Sequence, residues 1–405
     1  MDYEKRPFIS QKHQCGSGRT VGAEDIASEI AKRRRRILHT YLQVGTSGTV
    51  SGRSSGSFKA RRTARIIQSS PVKLATLALS ALVLGLATGP ATALEQPAPV
   101  SQTTLRSPGA YQFLLGDFRV VALTDGTVSV PFDQLLHGEP APTLVQTFRA
   151  AGQSPDRETS INAFIVDTGK RRILIESGAG GLFGECCGRL PETLTAAGYP
   201  LETIDVVLLT HVHGDHSGGL TRDGRRVFPN ADVYLDRREL EYWMSDVEKG
   251  LAKPAHADWF DQGRAALAPY QAAGRVRTFD GATQLFEGVR AIPAPGHTPG
   301  HSVYEIESQD HRLRVIGDMI HAVEIQLADP TVTIDYDADE AKAAVTREAA
   351  LAELADSQEL VAAPHISFPG LGHIYRAGDG FAWAPLPYAF TTREEGGRGQ
   401  VQRDH

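Results

Sequence analysis

Four short apolar runs in this chain end on residues able to ligate a metal, and that recurrence constrains the fold more than any other feature. The run "IDVVLLT" leads straight into "HVHGDHSGG", residues 211 to 219. It places His211, His213, Asp215 and His216 side by side. A near-continuous apolar run reads as a strand buried on both faces. A tight loop after such a strand throws its side chains past the carboxyl edge of the sheet, where ligand sites commonly form. His211 and His213 flank Val212 and can point to one side. Gly214 is expected to let the chain turn sharply, so that Asp215 and His216 face a second point nearby. Imidazole and carboxylate suit zinc, iron or manganese.

The same arrangement recurs three times. His297 follows "VRAIPAPG", Asp318 ends "LRVIG", and His365 follows "LVAAP". A polar solvated loop would explain one such cluster, but not further candidates in the same setting. Seven ligands exceed the needs of one four-coordinate zinc and suit two cations sharing one carboxylate.

The rest of the body alternates strands with helices. "DFRVVALTDG" predicts a strand running into a turn, and "SINAFIVDTGKRRILIESG" a hairpin turning at Thr168-Gly169-Lys170. "LPETLTAAGY" predicts a helix stopped at Gly198. "ADVYLD", "VRTFD" and "HSVYEIES" predict further strands, and "DEAKAAVTREAALAELAD" an amphipathic helix. Sheets covered by helices follow from this mixture.

Charge divides the chain. Residues 1 to 93 hold 15 Lys/Arg and 5 Asp/Glu, leaving 27 and 43 for residues 94 to 405. An acidic body argues against a nucleic-acid partner, because phosphate binding needs a basic face. Residues 1 to 58, with "KRRRR" at 32 to 36, read as a disordered leader or a start assigned too far upstream. Residues 59 to 93 read as a signal peptide: basic residues, the apolar run 74 to 88, then small residues at Ala91 and Ala93. The apolar run is short for a membrane anchor, which needs about 20 residues. Residues 94 to 110 read as a linker, 111 to 390 as the folded domain and 391 to 405 as a disordered tail. A periplasmic or secreted location follows, with no stable membrane span after cleavage. Of the three cysteines, Cys15 falls in the leader. The adjacent Cys186 and Cys187 are expected to be free thiols, since adjacent residues pair only through a strained ring.

Together "THVHGDHSGG", "APGHTPGHS", "IGDM" and "APHISF" resemble the metallo-β-lactamase-fold hydrolases over most of residues 110 to 390. "GDMIHAVEIQLADPTVT" and "HISFPGLGHI" resemble most the secreted methyl parathion hydrolase-like enzymes, with lactone and aryl-ester hydrolases as relatives. The resemblance implies an α/β (α+β) chain folded as an αββα sandwich, with two divalent metals, zinc first among them. It assigns His211, His213 and His297 to one metal and Asp215, His216 and His365 to the other, bridged by Asp318 and by a water or hydroxide. Such a pair yields a nucleophile at neutral pH and stabilises the charge that develops on the substrate. Asp215 is the candidate to pass a proton to the leaving group. Where the family often carries Asp-Thr/Ser-Gly after the first hairpin, this chain has Glu176-Ser177-Gly178. Glu176 is expected to support the site from behind the ligands. A homodimer is an expectation from the resemblance.

The expected activity is hydrolysis of a small-molecule lactone, carboxylic ester or organophosphate triester. Phe183, Trp243, Trp259 and His321 are candidates to contact substrate, with Phe260 a further aromatic. His301 and His373 are candidates to support ligands, and His137, His256 and His311 read as surface residues. A β-lactamase of this fold usually lacks the aspartate found at 318. A ribonuclease would need a basic surface, a diiron oxidoreductase a flavin domain, and a glyoxalase-type thioesterase a helical C-terminal domain. A non-catalytic binding protein would have lost ligands.

Overall fold

Along Val120, Val121, Ala122 and Leu123 every side chain is buried, but alternate residues enter different cores. Side chains alternate faces along a strand, so both faces of this sheet are covered. The structure, a computed structural model, describes residues 109 to 387. The leader, the signal-peptide segment, nearly all of the linker, Cys15 and the tail lie outside the described residues.

The first sheet holds β1 (Ala110–Leu115), β2 (Phe118–Pro131), β3 (Asp156–Asp167), β4 (Arg172–Ile175), β5 (Val206–Leu208), β6 (Asp232–Asp236) and β7 (Val276–Phe279), side by side in chain order. The second holds β8 (Thr283–Phe286), β9 (Val289–Pro293), β10 (Ser302–Ser308), β11 (His311–Val315), β12 (Leu360–Ala362), β13 (Leu371–Ala377) and β14 (Gly380–Pro385), again in chain order. Strands β4 to β7 run parallel, as do β11 and β12. Helices α1 (Ala141–Ala150), α2 (Leu190–Ala196), α3 (Arg237–Met244), α4 (Ala257–Ala272) and α5 (Glu340–Ser357) are the longer helices among the described residues.

Between the sheets Val120, Phe164, Ile175 and Leu208 meet Tyr304, Ile306, Val315 and Ala362. On the outer face of the first sheet Val121, Ile165, Leu174 and Val207 pack with Leu194 of α2, Trp243 of α3 and Phe260 and Leu267 of α4. On the outer face of the second, Val361 and Ile374 pack with Leu351 and Leu354 of α5. The layers are therefore αββα. Among the described residues no helix is long and apolar enough to cross a membrane.

One expected turn is not a turn. Strand β2 continues through Asp125-Gly126, and its pairing with β3 shifts register between Thr124 and Gly126. At this bulge Gly126 lies against the Cys186 carbonyl, where a Cβ would collide. Asp125 is fully buried and receives N–H groups from Ala179, Gly188 and Leu190 at 2.9 to 3.0 Å. It thereby fastens the loop after β4 to β2. Cys186 and Cys187 lie on that loop as free thiols.

Candidate metal centre

Each candidate ligand follows a strand. Strand β5 delivers His211 and His213, and a one-turn helix, Gly214–Ser217, carries Asp215 and His216. His297 follows β9, Asp318 follows β11 and His365 follows β12. The chain turns at Gly214, which starts the one-turn helix, and a Cβ there would lie 2.8 Å from Gln262 Oε1. That atom is the far end of a flexible side chain and can swing aside. The true close approach in the motif is at Gly219, where a Cβ would lie 1.8 Å from the Ser177 carbonyl oxygen.

The seven side chains converge as two clusters around Asp318. Donor atoms of His211, His213, His297 and Asp318 lie within 4.8 Å of one another, as do those of Asp215, His216 and His365. Asp318 Oδ2 faces His297 Nε2 at 3.2 Å and His211 Nε2 at 3.6 Å. Its other oxygen, Oδ1, faces His216 Nε2 at 3.0 Å and His365 Nε2 at 3.1 Å. One carboxylate thus presents an oxygen to each cluster. Asp215 Oδ2 completes the second, 3.4 Å from His365 Nε2 and 3.7 Å from His216 Nε2. Six of the seven are buried; Asp215 alone is half-buried.

The chemistry of this donor set fits cations. Thr210 Oγ1 donates to Glu176 Oε1 at 2.5 Å, so it must accept from His211 Nδ1 at 3.0 Å. That leaves His211 Nε2 as a lone pair. His297 Nδ1 donates to Asp337 at 2.8 Å and His365 Nδ1 to the Ser160 carbonyl at 3.0 Å, which aims their Nε2 atoms inward. These nitrogens then meet other imidazole nitrogens: His213 Nδ1 lies 3.0 Å from both His211 Nε2 and His297 Nε2, and His216 Nε2 lies 3.2 Å from His365 Nε2. Lone pairs aimed at each other and at carboxylates repel unless positive charge lies between them. Asp318 Oδ1 is also buried with no hydrogen-bond donor.

The titration behaviour agrees. Burial holds His211 and His213 well below the ordinary histidine value. Burial pulls His297 down too, but Asp318 and Asp337 outweigh it and raise its pKa to about 9. Burial also pulls His216 and His365 down, but Asp318 and Asp215, with Glu176 at His216, together outweigh it and raise both. Burial would raise Asp318, yet His216, His365 and His211 drive it well below the carboxylate range. The side chains alone draw in protons, and a divalent cation supplies the same charge at the same nitrogens.

Supporting residues divide into those the sequence showed and those it hid. Glu176 is buried at φ +68°, a conformation rarely adopted away from glycine. Its Oε1 takes the Thr210 hydroxyl and its Oε2 lies 3.3 Å from His216 Nδ1. His301 does not face the cluster: its Nδ1 donates to the Ala294 carbonyl, and its Nε2 accepts the Asp318 backbone N–H at 3.0 Å. Burial takes it to a pKa of about 3, consistent with that neutral role. His373 faces the carbonyls of Gln358 and Glu359 instead of the site. Asp337 bonds His297, and Glu239 accepts from Val212, Trp243, Thr298 and Gly300; neither carried a signal as such. Asp337 sits in an acidic stretch before α5, and Glu239 three residues after Asp236 mimics a helix-capping pair.

Beside His213 opens a cavity of about 360 Å³ whose walls include Tyr242, Trp259, Tyr336, Leu251 and Lys253. Trp259 stacks on His256, centroids 3.9 Å apart, so His256 is half-buried in this wall and not a surface residue. Trp243 reaches the same cavity but is buried, its ring packed T-shaped with His213. Phe260 is buried in the core and also reaches the cavity wall. Phe183 is exposed beside Gly214 and is not part of this wall. His321 is buried with Nε2 3.0 Å from Asp318 Oδ2, and its Nδ1 has no partner.

Residues 156–365, more than half of the chain, match the metallo-beta-lactamase superfamily. The chain belongs to that superfamily. A solved structure described as hydrolase AbOPH in the beta lactamase superfamily is 35% identical, covers 70% of this chain and all of its own, and superposes with a TM-score of 0.67. AidC, a dizinc quorum-quenching lactonase in complex with a product, is 25% identical with a TM-score of 0.66, covering 70% of this chain and 99% of its own. An atrochrysone carboxyl ACP thioesterase of Passalora fulva is 29% identical over 178 residues, 43% of each chain. The match thus spans less than half the length of that curated relative.

Proposed function

We propose that this protein is an exported two-metal hydrolase that cleaves a carboxylic ester bond, in a lactone or an open-chain ester, in preference to a phosphotriester. The carrying observation is Asp318, whose two oxygens face two separate clusters of buried donors. His211, His213 and His297 would hold one ion, and Asp215, His216 and His365 the other. A divalent pair, zinc in the first instance, supplies an activated water at neutral pH and a positive pole for the carbonyl oxygen. The protein's own part is orientation. Thr210, Asp337 and Ser160 fix the imidazoles. Half-buried Asp215, beside His365, would take up the proton released by the attacking water and pass it to the departing oxygen. His321 Nε2 donates to Asp318 Oδ2, which leaves the unpartnered Nδ1 as an acceptor for a substrate or water hydrogen. The aromatic cavity has the size of a small-ligand pocket and would hold the acyl or aryl portion. Similarity to AidC favours the lactone.

A second reading, a thioester, is favoured by the curated relatives named as thioesterases. It asks the same site to attack the same carbonyl with a different leaving group. The test is turnover of a lactone, an aryl ester, an acyl thioester, a phosphotriester and a β-lactam by the purified protein, before chelation, after it, and after metal is restored. The lactone or aryl ester should turn over fastest, lose activity on chelation and regain it on restoration. Turnover of the thioester alone would replace the first reading with the second, and no turnover of any substrate by metal-loaded protein would overturn both.

A further inference from the structure

We infer that Glu239 is a positioning residue for one half of the metal centre, the His211–His213–His297 cluster, and that it leaves the other half untouched; this rests on the two-metal reading above. Glu239 lies in the first turn of α3, three residues after Asp236, whose side chain accepts the Arg238 N–H as the helix cap. A glutamate at that place would ordinarily reach back to its own helix end. Here the carboxylate turns inward, fully buried, and receives four donors, one from its own helix and three from two loops. Oε1 accepts the Val212 N–H at 3.0 Å and the Trp243 indole N–H at 2.6 Å. Oε2 accepts the Thr298 hydroxyl at 2.7 Å and the Gly300 N–H at 3.0 Å.

Those donors belong to the first cluster. Val212 lies between His211 and His213, so its N–H sets the backbone that aims both rings. The Trp243 ring packs T-shaped with the His213 imidazole, centroids 5.3 Å apart. Thr298 adjoins His297, and Gly300 ends the same loop. The loop sits directly on α3: a Cβ at Gly300 would lie 2.3 Å from the Glu239 backbone nitrogen. One carboxylate therefore joins the two loops whose three histidines converge within 3.0 Å contacts.

The second cluster is held by other groups. His365 is oriented by the Ser160 carbonyl, and His216 lies against Glu176. Glu176 also reaches His211 through Thr210, so it serves both halves. Glu239 serves one. Three of its four donors are N–H groups that cannot accept, so E239Q keeps the shape but turns its amide hydrogens toward at least one of them.

The test is Co²⁺ affinity, read by competition with a chromophoric chelator and by the visible absorption of the bound ion. H365A confines Co²⁺ to the first cluster and H297A to the second. E239Q should weaken binding about 10- to 100-fold in the H365A background, the range for loss of a residue behind a ligand. In the H297A background the change should stay below about threefold. T298V, which removes one donor of four, should act in the same direction by a smaller factor and guards against poor folding of E239Q. E176Q should weaken both. If the parent protein binds fewer than two ions, the two-metal reading falls and this inference with it. If the parent binds two and E239Q weakens both backgrounds alike, or neither, only the role of Glu239 is overturned.

Discussion

Thr210→Val removes one hydroxyl from the chain that runs Glu176–Thr210–His211. The backbone is spared, since the Thr210 carbonyl still receives the Ser302 N–H. The substitution leaves Glu176 Oε1 and His211 Nδ1 without their partner in a site where Thr210 is 1% exposed. A hydrogen bond to a charged group contributes about 1.5–3 kcal/mol, and a stranded buried donor costs about 1–3 kcal/mol. The two are not additive, so a loss of about 3 kcal/mol is expected. The added methyl must also displace Glu176, since it takes the place of an oxygen 2.5 Å from the carboxylate. With Nδ1 unanchored, metal affinity should fall about 10- to 100-fold. Denaturant unfolding followed by tryptophan fluorescence gives the first quantity, and competition with a chelator the second. Thr210→Ser, which keeps the hydroxyl, should restore both. The reasoning fails if Thr210→Val shifts stability by less than about 0.5 kcal/mol, the size of an ordinary surface change. It also fails if stability falls while metal affinity does not.

Three further outcomes follow from residues outside the ligand set. Asp125→Ala strands three buried N–H groups and should cost more than about 3 kcal/mol in denaturant unfolding, with the loop around Cys186 newly open to protease. Gly219→Ala forces a Cβ into the Ser177 carbonyl, which is backbone and cannot swing aside, so soluble expression should collapse. Asp236→Asn should flatten the acid limb of the stability curve. Burial raises the Asp236 pKa, but its bonds to Arg238 and to the Arg238 and Gly281 N–H groups outweigh that and lower it. A folded-state pKa below the unfolded value of about 3.9 means stabilisation that is complete above that pH and is lost as pH falls through the folded value. Wild-type and Asp236→Asn midpoints should therefore differ above about pH 4 and converge below it.

The candidate ligands were legible because metal-capable residue types at strand ends form a local pattern. His211, His213, Asp215 and His216 are neighbours in sequence, and each of the later three ends an apolar run. Strand positions were legible for the same reason: alternation and apolar runs report burial on one or both faces. What was hidden depends on contacts made across the fold. Glu239 looks like a capping residue until the loops at Val212 and Thr298 are seen to meet on it. Asp337 lies forty positions beyond His297 and hydrogen-bonds to it only because α5 packs on the second sheet. Asp125-Gly126 has the composition of a turn, yet pairing with β3 carries the strand through as a bulge. His256 and Trp243 have the same ambiguity in the opposite sense: stacking draws one into the cavity wall, and a buried glutamate draws the other into the core.

Asp318 is proposed to join two metal sites. The most direct test is elemental analysis of metal per chain in the wild type, H297A, H365A and Asp318→Ala after equilibration with limiting free Zn²⁺. The account predicts about two ions in the wild type, about one in each histidine variant, and fewer than one in Asp318→Ala, which loses an oxygen from both clusters at once. A single ion in the wild type, or two ions retained by Asp318→Ala, would contradict it.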